Sequence, residues 1–192
     1  YPLNFHAGPL PEFGGYAFYN LAILENAQEY GCTCHIMDDG FDTGPLVKVR
    51  RFAINAKIET AVSLEKRTQV EMLLLFEEIL AEIESAGALS WIEQDPKQMR
   101  YLSADEFAAL KTISPSATSE EADTIARAFW YPPYDCATFQ LPSGSKIEVV
   151  PEIVKQNLAV NIHRQDLASM LGSVTIDSSF RQSILAAQRG PQ

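Results

Sequence analysis

The sequence predicts an α/β fold: a mixed sheet flanked by helices, followed by a small β-hairpin/α appendage. Two observations carry this. Short apolar stretches bounded by Gly and Pro alternate with longer segments of helical periodicity. The first of them, residues 3–6, contains two polar residues, Asn4 and His6, and opens at once into a Pro/Gly-rich turn. The carboxyl end of a strand, where it opens into a rigid loop, is where α/β proteins place their chemistry.

Asn4 and His6 are two apart, so in an extended segment both face one side. Gly8-Pro9-Leu10-Pro11, running on to Gly14-Gly15, cannot extend the strand. The competing reading is a core strand capped by a turn, with His6 a satisfied histidine. Residues 16–26 read as a helix with Phe18, Leu21, Ala22 and Leu24 inward. Residues 31–37 read as a second strand, with Cys32 and Cys34 on one side and His35 on the other. Residues 38–44 form an acidic, Gly-containing loop. Residues 46–52 alternate Val47/Val49 against Lys48/Arg50, as in a half-exposed strand.

Residues 60–86 are the longest periodic segment. Leu64, Leu73, Leu74, Phe76, Ile79, Leu80 and Ile83 give the apolar stripe, and Gly87 the stop. Residues 91–100 are a polar connector. Ser103-Ala104-Asp105-Glu106 is a capping box that opens a short helix to about Lys111. Residues 112–119 read as a loop. A helix then runs from Ser119 to about Phe129, with acids in its first turn to complement the dipole. Residues 137–141 and 146–150 flank Pro142-Ser143-Gly144 as a hairpin. Beyond Pro151 the sequence allows short helices at 166–171 and 179–188, with a strand at 174–176 between them.

A chain of 192 residues suits one full core, or one domain with a small appendage. No window approaches the roughly 18 consecutive apolar residues of a membrane span. The net charge of −10 disfavours nucleic-acid binding, which needs clustered Lys and Arg. Cys32, Cys34 and Cys136 are odd in number and two share one strand, so no disulfide framework is expected. Metal-ligand spacings are missing, so no metal is expected either. Cytoplasm is the default compartment. The chain opens mid-strand at Tyr1-Pro2-Leu3-Asn4 without a Met, as a fragment would.

Asn4-x-His6, Leu10-Pro11, Gly14-Gly15 and then Asp42-Thr43-Gly44 together resemble the formyltransferases that use 10-formyltetrahydrofolate. Within that family the chain is most similar to the sugar N-formyltransferases. This narrower likeness rests on Gly14-Gly15-Tyr16, on Tyr30-Gly31-Cys32-Thr33-Cys34-His35, and on Arg127-Ala128-Phe129-Trp130-Tyr131-Pro132-Pro133-Tyr134. Many family members continue this last run with Pro-Gly-Ala, whereas this chain has Asp135-Cys136-Ala137.

The resemblance covers about residues 1–150 and implies the C-terminal part of a Rossmann-like formyltransferase core. It places a catalytic core in residues 1–100, without the family's first half, and a C-terminal subdomain in residues 101–192. It implies formyl transfer from 10-formyltetrahydrofolate to a nucleotide-linked amino sugar, for bacterial surface polysaccharide. Asn4 and His6 would stabilise the oxyanion. Asp42 would orient His6, raise its pKa and relay the proton. Met37, Asp38, Gly40 and Asp42 would border the folate. Pro9, Leu10, Tyr16, Trp130 and Tyr131 would contact the sugar nucleotide. The aromatic run also reads as a hydrophobic seam, and Asp38 and Asp39 as a solvated turn. Lys48, Arg50, Arg51 and Arg127 are candidates for the diphosphate or simply surface cations. A homodimer is a further expectation. The alternatives are a methionyl-tRNA formyltransferase, a formyltetrahydrofolate hydrolase, the formylation domain of a peptide synthetase, and a truncated non-catalytic module.

Overall fold

The computed structural model describes residues 1–100 and 102–157. Two three-stranded sheets and four helices build its first compact unit, Tyr1–Pro151. The second unit is Glu152–Gln192, of which 152–157 are described, as helix. The helices and strand expected at 166–171, 174–176 and 179–188 lie outside the described residues.

The first sheet is antiparallel, in the order β1 (Leu3–His6), β2 (Glu29–Ile36), β3 (Leu46–Ala53). The second is mixed. The two-residue β4 (Thr112–Ile113) runs parallel to β5 (Ala137–Gln140), which pairs antiparallel with β6 (Lys146–Val149). β4 falls where a loop was expected. It owes its existence to β5, its partner some 25 residues on, so no local pattern marks it.

Helix α1 (Phe18–Leu24) is shorter than its apolar pattern. Its start is set by Ala17, held in a left-handed conformation with no side-chain cap. Helix α2 (Ala61–Ala86) begins at a capping box of Thr60 and Ser63 and ends at Gly87, whose φ of 71° suits a residue without Cβ. Capping boxes also open α3 (Ala104–Leu110) at Ser103/Glu106 and α4 (Ser119–Ala128) at Thr118/Glu121.

α2 lies on one face of the first sheet. Leu75 and Ile79 pack there with Cys32, Cys34 and Leu89. Beyond this apolar strip, Arg50 of β3 pairs with Glu71 and Glu78 and Lys48 with Glu78 and Glu82, all on α2. The expected stripe therefore needs correcting. Leu64 and Ile79 are buried as expected, together with Leu75, but Leu73, Leu74, Phe76 and Leu80 are exposed. The second core joins Tyr19 and Ile23 of α1, Tyr30 of β2, Leu64 of α2, Ile113 of β4, Ala128 of α4 and Ala137 of β5. This core draws on residues both before and after position 100, so the expected division at 100 does not coincide with the compact units.

Candidate active site

In the β1–β2 ladder Asn4 pairs with His35 and His6 with Thr33. Directly opposed residues of an antiparallel pair share a face. Asn4, His6, Thr33 and His35 therefore stand on one side of the sheet. Cys32 and Cys34 stand on the other, against α2. Burial pushes the thiols up, Cys32 to about 12 and Cys34 to about 11, so they behave as small hydrophobes.

Thr33 pins the turn after β1. Its hydroxyl accepts the Leu10 N–H at 2.9 Å and donates to the Gly8 carbonyl at 2.8 Å. The turn passes so close to the His6 ring that a Cβ on Gly8 would lie 2.6 Å from the Phe13 oxygen and 2.8 Å from His6 Nε2. Only glycine fits there.

Asp42 joins the strands. It sits in a left-handed turn, with φ 58°. Its Oδ2 accepts the Gly15 N–H at 2.9 Å and lies 3.4 Å from His6 Nδ1. Its Oδ1 lies 3.6 Å from His35 Nε2. Asn4 Nδ2 completes the cluster at 3.0 Å from His35 Nε2. Burial pushes the Asp42 pKa up, but the close contact with His35, the His6 charge and the Gly15 N–H hold the carboxyl below its usual range.

The two histidines present different nitrogens to Asp42. His6 Nε2 is 2.6 Å from the Phe13 carbonyl oxygen, which only accepts, so Nε2 carries a proton and Nδ1 faces the carboxylate. Burial lowers the His6 pKa, outweighing the upward pull of Asp42 and the Phe13 carbonyl. Asp42 does pull the His6 pKa up as expected; burial sets the net direction. His35 Nδ1 is 2.9 Å from the Ile36 carbonyl oxygen and so carries a proton, leaving Nε2 towards Asn4 and Asp42. Burial opposes the charged form of His35, but the Asp42 carboxylate beside it and the Ile36 hydrogen bond raise its pKa.

The other expected site residues are distributed unevenly. Pro9 and Leu10 are fully buried, so their side chains belong to the core and offer no surface to a substrate. Tyr16 is exposed and packs edge-on to Phe107. Met37, Asp38 and Gly40 lie exposed in the loop before Asp42. Asp38 organises that loop by accepting from Gly40 N and from Thr43 Oγ1 at 2.6 Å. In the aromatic run, Phe129 is core, Tyr131 packs half-buried against that core beside Glu65, and Trp130 is half-buried.

The candidate diphosphate cations are all engaged within the chain. Lys48 and Arg50 hold α2, and Arg51 pairs with Glu12 and Glu29. Arg127 is buried, donating to the Ala56 and Glu59 carbonyls, to Thr124 Oγ1 and to Asp123. It is a structural cation, not a surface one. A cleft of about 940 Å³ between α1 and the start of α4 contains none of the Asp42 cluster.

His35 and Thr33 are the cluster members that sequence reasoning did not assign. Their signal was parity: both alternate with the cysteines of β2 and fall on the face of Asn4 and His6. Among the described residues no group of three or more His, Cys, Asp and Glu could hold a metal ion, and no helix is long and apolar enough to cross a membrane.

Residues 2–78 match the family model described as formyl transferase. The GDP-perosamine N-formyltransferase of Brucella melitensis is 26% identical over 151 residues, 79% of this chain and 56% of that protein. The methionyl-tRNA formyltransferase of Paraburkholderia phytofirmans is 30% identical over 159 residues, 82% of this chain and 47% of that protein. Among solved structures, the N-formyltransferase from Helicobacter canadensis in complex with folinic acid and dTDP-3-aminofucose superposes with a TM-score of 0.62. It is 26% identical over 73% of this chain and 51% of that one. The layers of sheet and helix are thus those of a formyltransferase structure. The chain spans about half the length of the curated relatives it matches.

Proposed function

We propose that this chain, whose residues 2–78 match the formyl transferase family, is the catalytic part of an N-formyltransferase. The reaction moves a formyl group from 10-formyltetrahydrofolate to the amine of a nucleotide-linked amino deoxysugar. The observation that carries this is the Asp42 carboxylate held between His6 and His35, with Asn4 beside it, at the end of β1. The Brucella and Helicobacter relatives, named for GDP-perosamine and crystallised with dTDP-3-aminofucose, support the substrate class. The folinic acid of the Helicobacter complex supports a folate donor. The loop at 37–41, which leads into Asp42, is exposed, so a donor can reach it from solvent.

The chemistry is acyl transfer. The amine lone pair forms the new C–N bond, negative charge develops on the formyl oxygen, and the amine sheds a proton. As the oxyanion collapses, the bond to folate N10 breaks with N10 taking up a proton, so that the base which accepts the first proton can return it to the leaving nitrogen. The chain must supply a donor to the oxyanion and an acceptor for the amine proton. Asn4 Nδ2 carries two hydrogens. One meets His35 Nε2 when that ring is neutral, and the other serves the formyl oxygen. His6 commits Nε2 to Phe13, so its acceptor is Nδ1, where Asp42 stabilises the imidazolium that results. This shifts His6 from the oxyanion to the proton. No nucleophilic side chain is needed, because the substrate amine attacks.

In the full-length protein, His6→Ala and Asp42→Ala should each lower kcat by at least about 10²-fold, the scale for losing a general base or its electrostatic partner. KM for both substrates should change much less. Near-normal turnover in either variant would remove this mechanism.

A further inference from the structure

The loop that carries Asp42 is tied to a segment 52 residues away. Gln94, in the connector after α2, donates from Nε2 to the Asp42 carbonyl at 2.7 Å and to the Gly44 carbonyl at 2.7 Å. Both acceptors are carbonyls, so the atom between them is the amide nitrogen, and both its hydrogens are used. The connector is brought there by a bridge between Leu46 and Ile92 at the start of β3.

The clamped stretch is not at rest by itself. Asp42 is a non-glycine residue at φ 58°, a conformation that persists only where its surroundings over-determine it. Two residues on, Gly44 presses against the Ile36 carbonyl, where any Cβ would collide. Gln94 also leaves its own Oε1 buried without a partner among the described residues. A buried orphan acceptor destabilises, and an apolar side chain of the same shape would remove that loss. Packing alone therefore does not account for a glutamine here.

We propose that Gln94 is a positioning residue: its double donation to the carbonyls of residues 42 and 44 holds the turn that aims the Asp42 carboxylate at His6 and His35. The inference rests on the reading of the Asp42 cluster as the active site, but its geometry is testable without any formyl transfer.

The test is Gln94→Met, which keeps length and volume and removes both donors and the orphan oxygen. If Gln94 only packs, the variant is at least as stable and the cluster is unchanged. If it positions Asp42, the carboxylate withdraws. The NMR titration midpoint of His35, raised by Asp42 in the native chain, then moves down. The Gly15 amide, which donates to Asp42 Oδ2, loses hydrogen-exchange protection. In the full-length protein kcat falls about 10- to 100-fold, the scale of a slightly misplaced group, with KM nearly constant. Gln94→Asn, too short to reach both carbonyls, is the second variant should the first not fold. An unchanged His35 midpoint and an unchanged Gly15 amide in either folded variant overturn the inference. A shifted His35 in a protein whose native form transfers no formyl group would instead overturn the functional reading and leave the clamp standing.

Discussion

His6 and His35 share one carboxylate yet are driven in opposite directions. His6 is buried deeply enough that desolvation prevails, while His35 gains more from Asp42 and Ile36 than burial removes. Titration should therefore show His35 above the ordinary 6.5 and His6 below it. The linkage to stability has two signs. The His35 contribution is fully present below 6.5 and is lost as pH rises through its folded pKa. The His6 contribution is present above 6.5 and is lost as pH falls through its folded pKa. Asp42→Asn should remove the upward pull on His35 and flatten the alkaline loss in a plot of Tm against pH. The reverse order of the two histidines would contradict the assigned contacts. Protonation of His35 also bears on Asn4, since an imidazolium Nε2–H no longer accepts the Asn4 N–H and the amide must turn its oxygen inward. At this scale Asn4 and His6 were legible as a pair because strand parity and the Gly-rich turn mark them, whereas Asp42 was set apart from the other acids of its loop only by the resemblance carried by Asp42-Thr43-Gly44. Gln94 was not, because an amide in a polar connector carries no periodic signal and its partners are backbone atoms.

The helices were legible wherever a cap closed them. Thr60, Ser103 and Thr118 each hold a capping box, two orphan N–H groups satisfied by side chains close in sequence. What failed was the face of α2. The segment 73–76 is Leu-Leu-Leu-Phe, so apolar residues surround the helix and periodicity cannot choose among them. The choice is made by β2, whose Cys32 and Cys34 receive Leu75 and Ile79. Leu75 is fully buried and Leu73 is 60% exposed, which separates the two readings. Leu75→Ala should cost about 2–5 kcal/mol through lost burial and a cavity. Leu73→Ala should stay within about 0.5 kcal/mol. Chemical denaturation of the two variants measures this, and equal losses would mean that Leu73 is covered in solution. The aromatic run divides in the same way. Tyr131 packs on the core, so Tyr131→Ala should lower Tm. Trp130 is half-buried, and Trp130→Ala in the full-length protein should raise KM for the sugar nucleotide about tenfold, the scale of a lost stacking contact.

For the molecule as a whole, the proposed substrate class rests on charge. The relatives divide between nucleotide-linked sugars and methionyl-tRNA, and sequence identity alone, 26% against 30%, does not choose. A tRNA is held by many phosphate contacts, each needing a cation free to release a counterion. This chain carries a net charge of −10, and Lys48, Arg50, Arg51 and Arg127 are each paired with carboxylates of the chain. A polyanion would meet repulsion over about a Debye length, roughly 8–10 Å at physiological salt. A nucleotide-sugar brings one diphosphate, with a base and a sugar that rings and hydrogen bonds can hold. Initial rates of the full-length protein should therefore be high with a nucleotide-linked amino sugar and near background with methionyl-tRNA. Raising salt from 50 to 200 mM should change kcat/KM for the sugar only a fewfold, where six to ten phosphate contacts would cost about 10³–10⁵. Efficient formylation of the tRNA, falling steeply with salt, would show that a basic surface is supplied from outside the described residues and would overturn the sugar assignment.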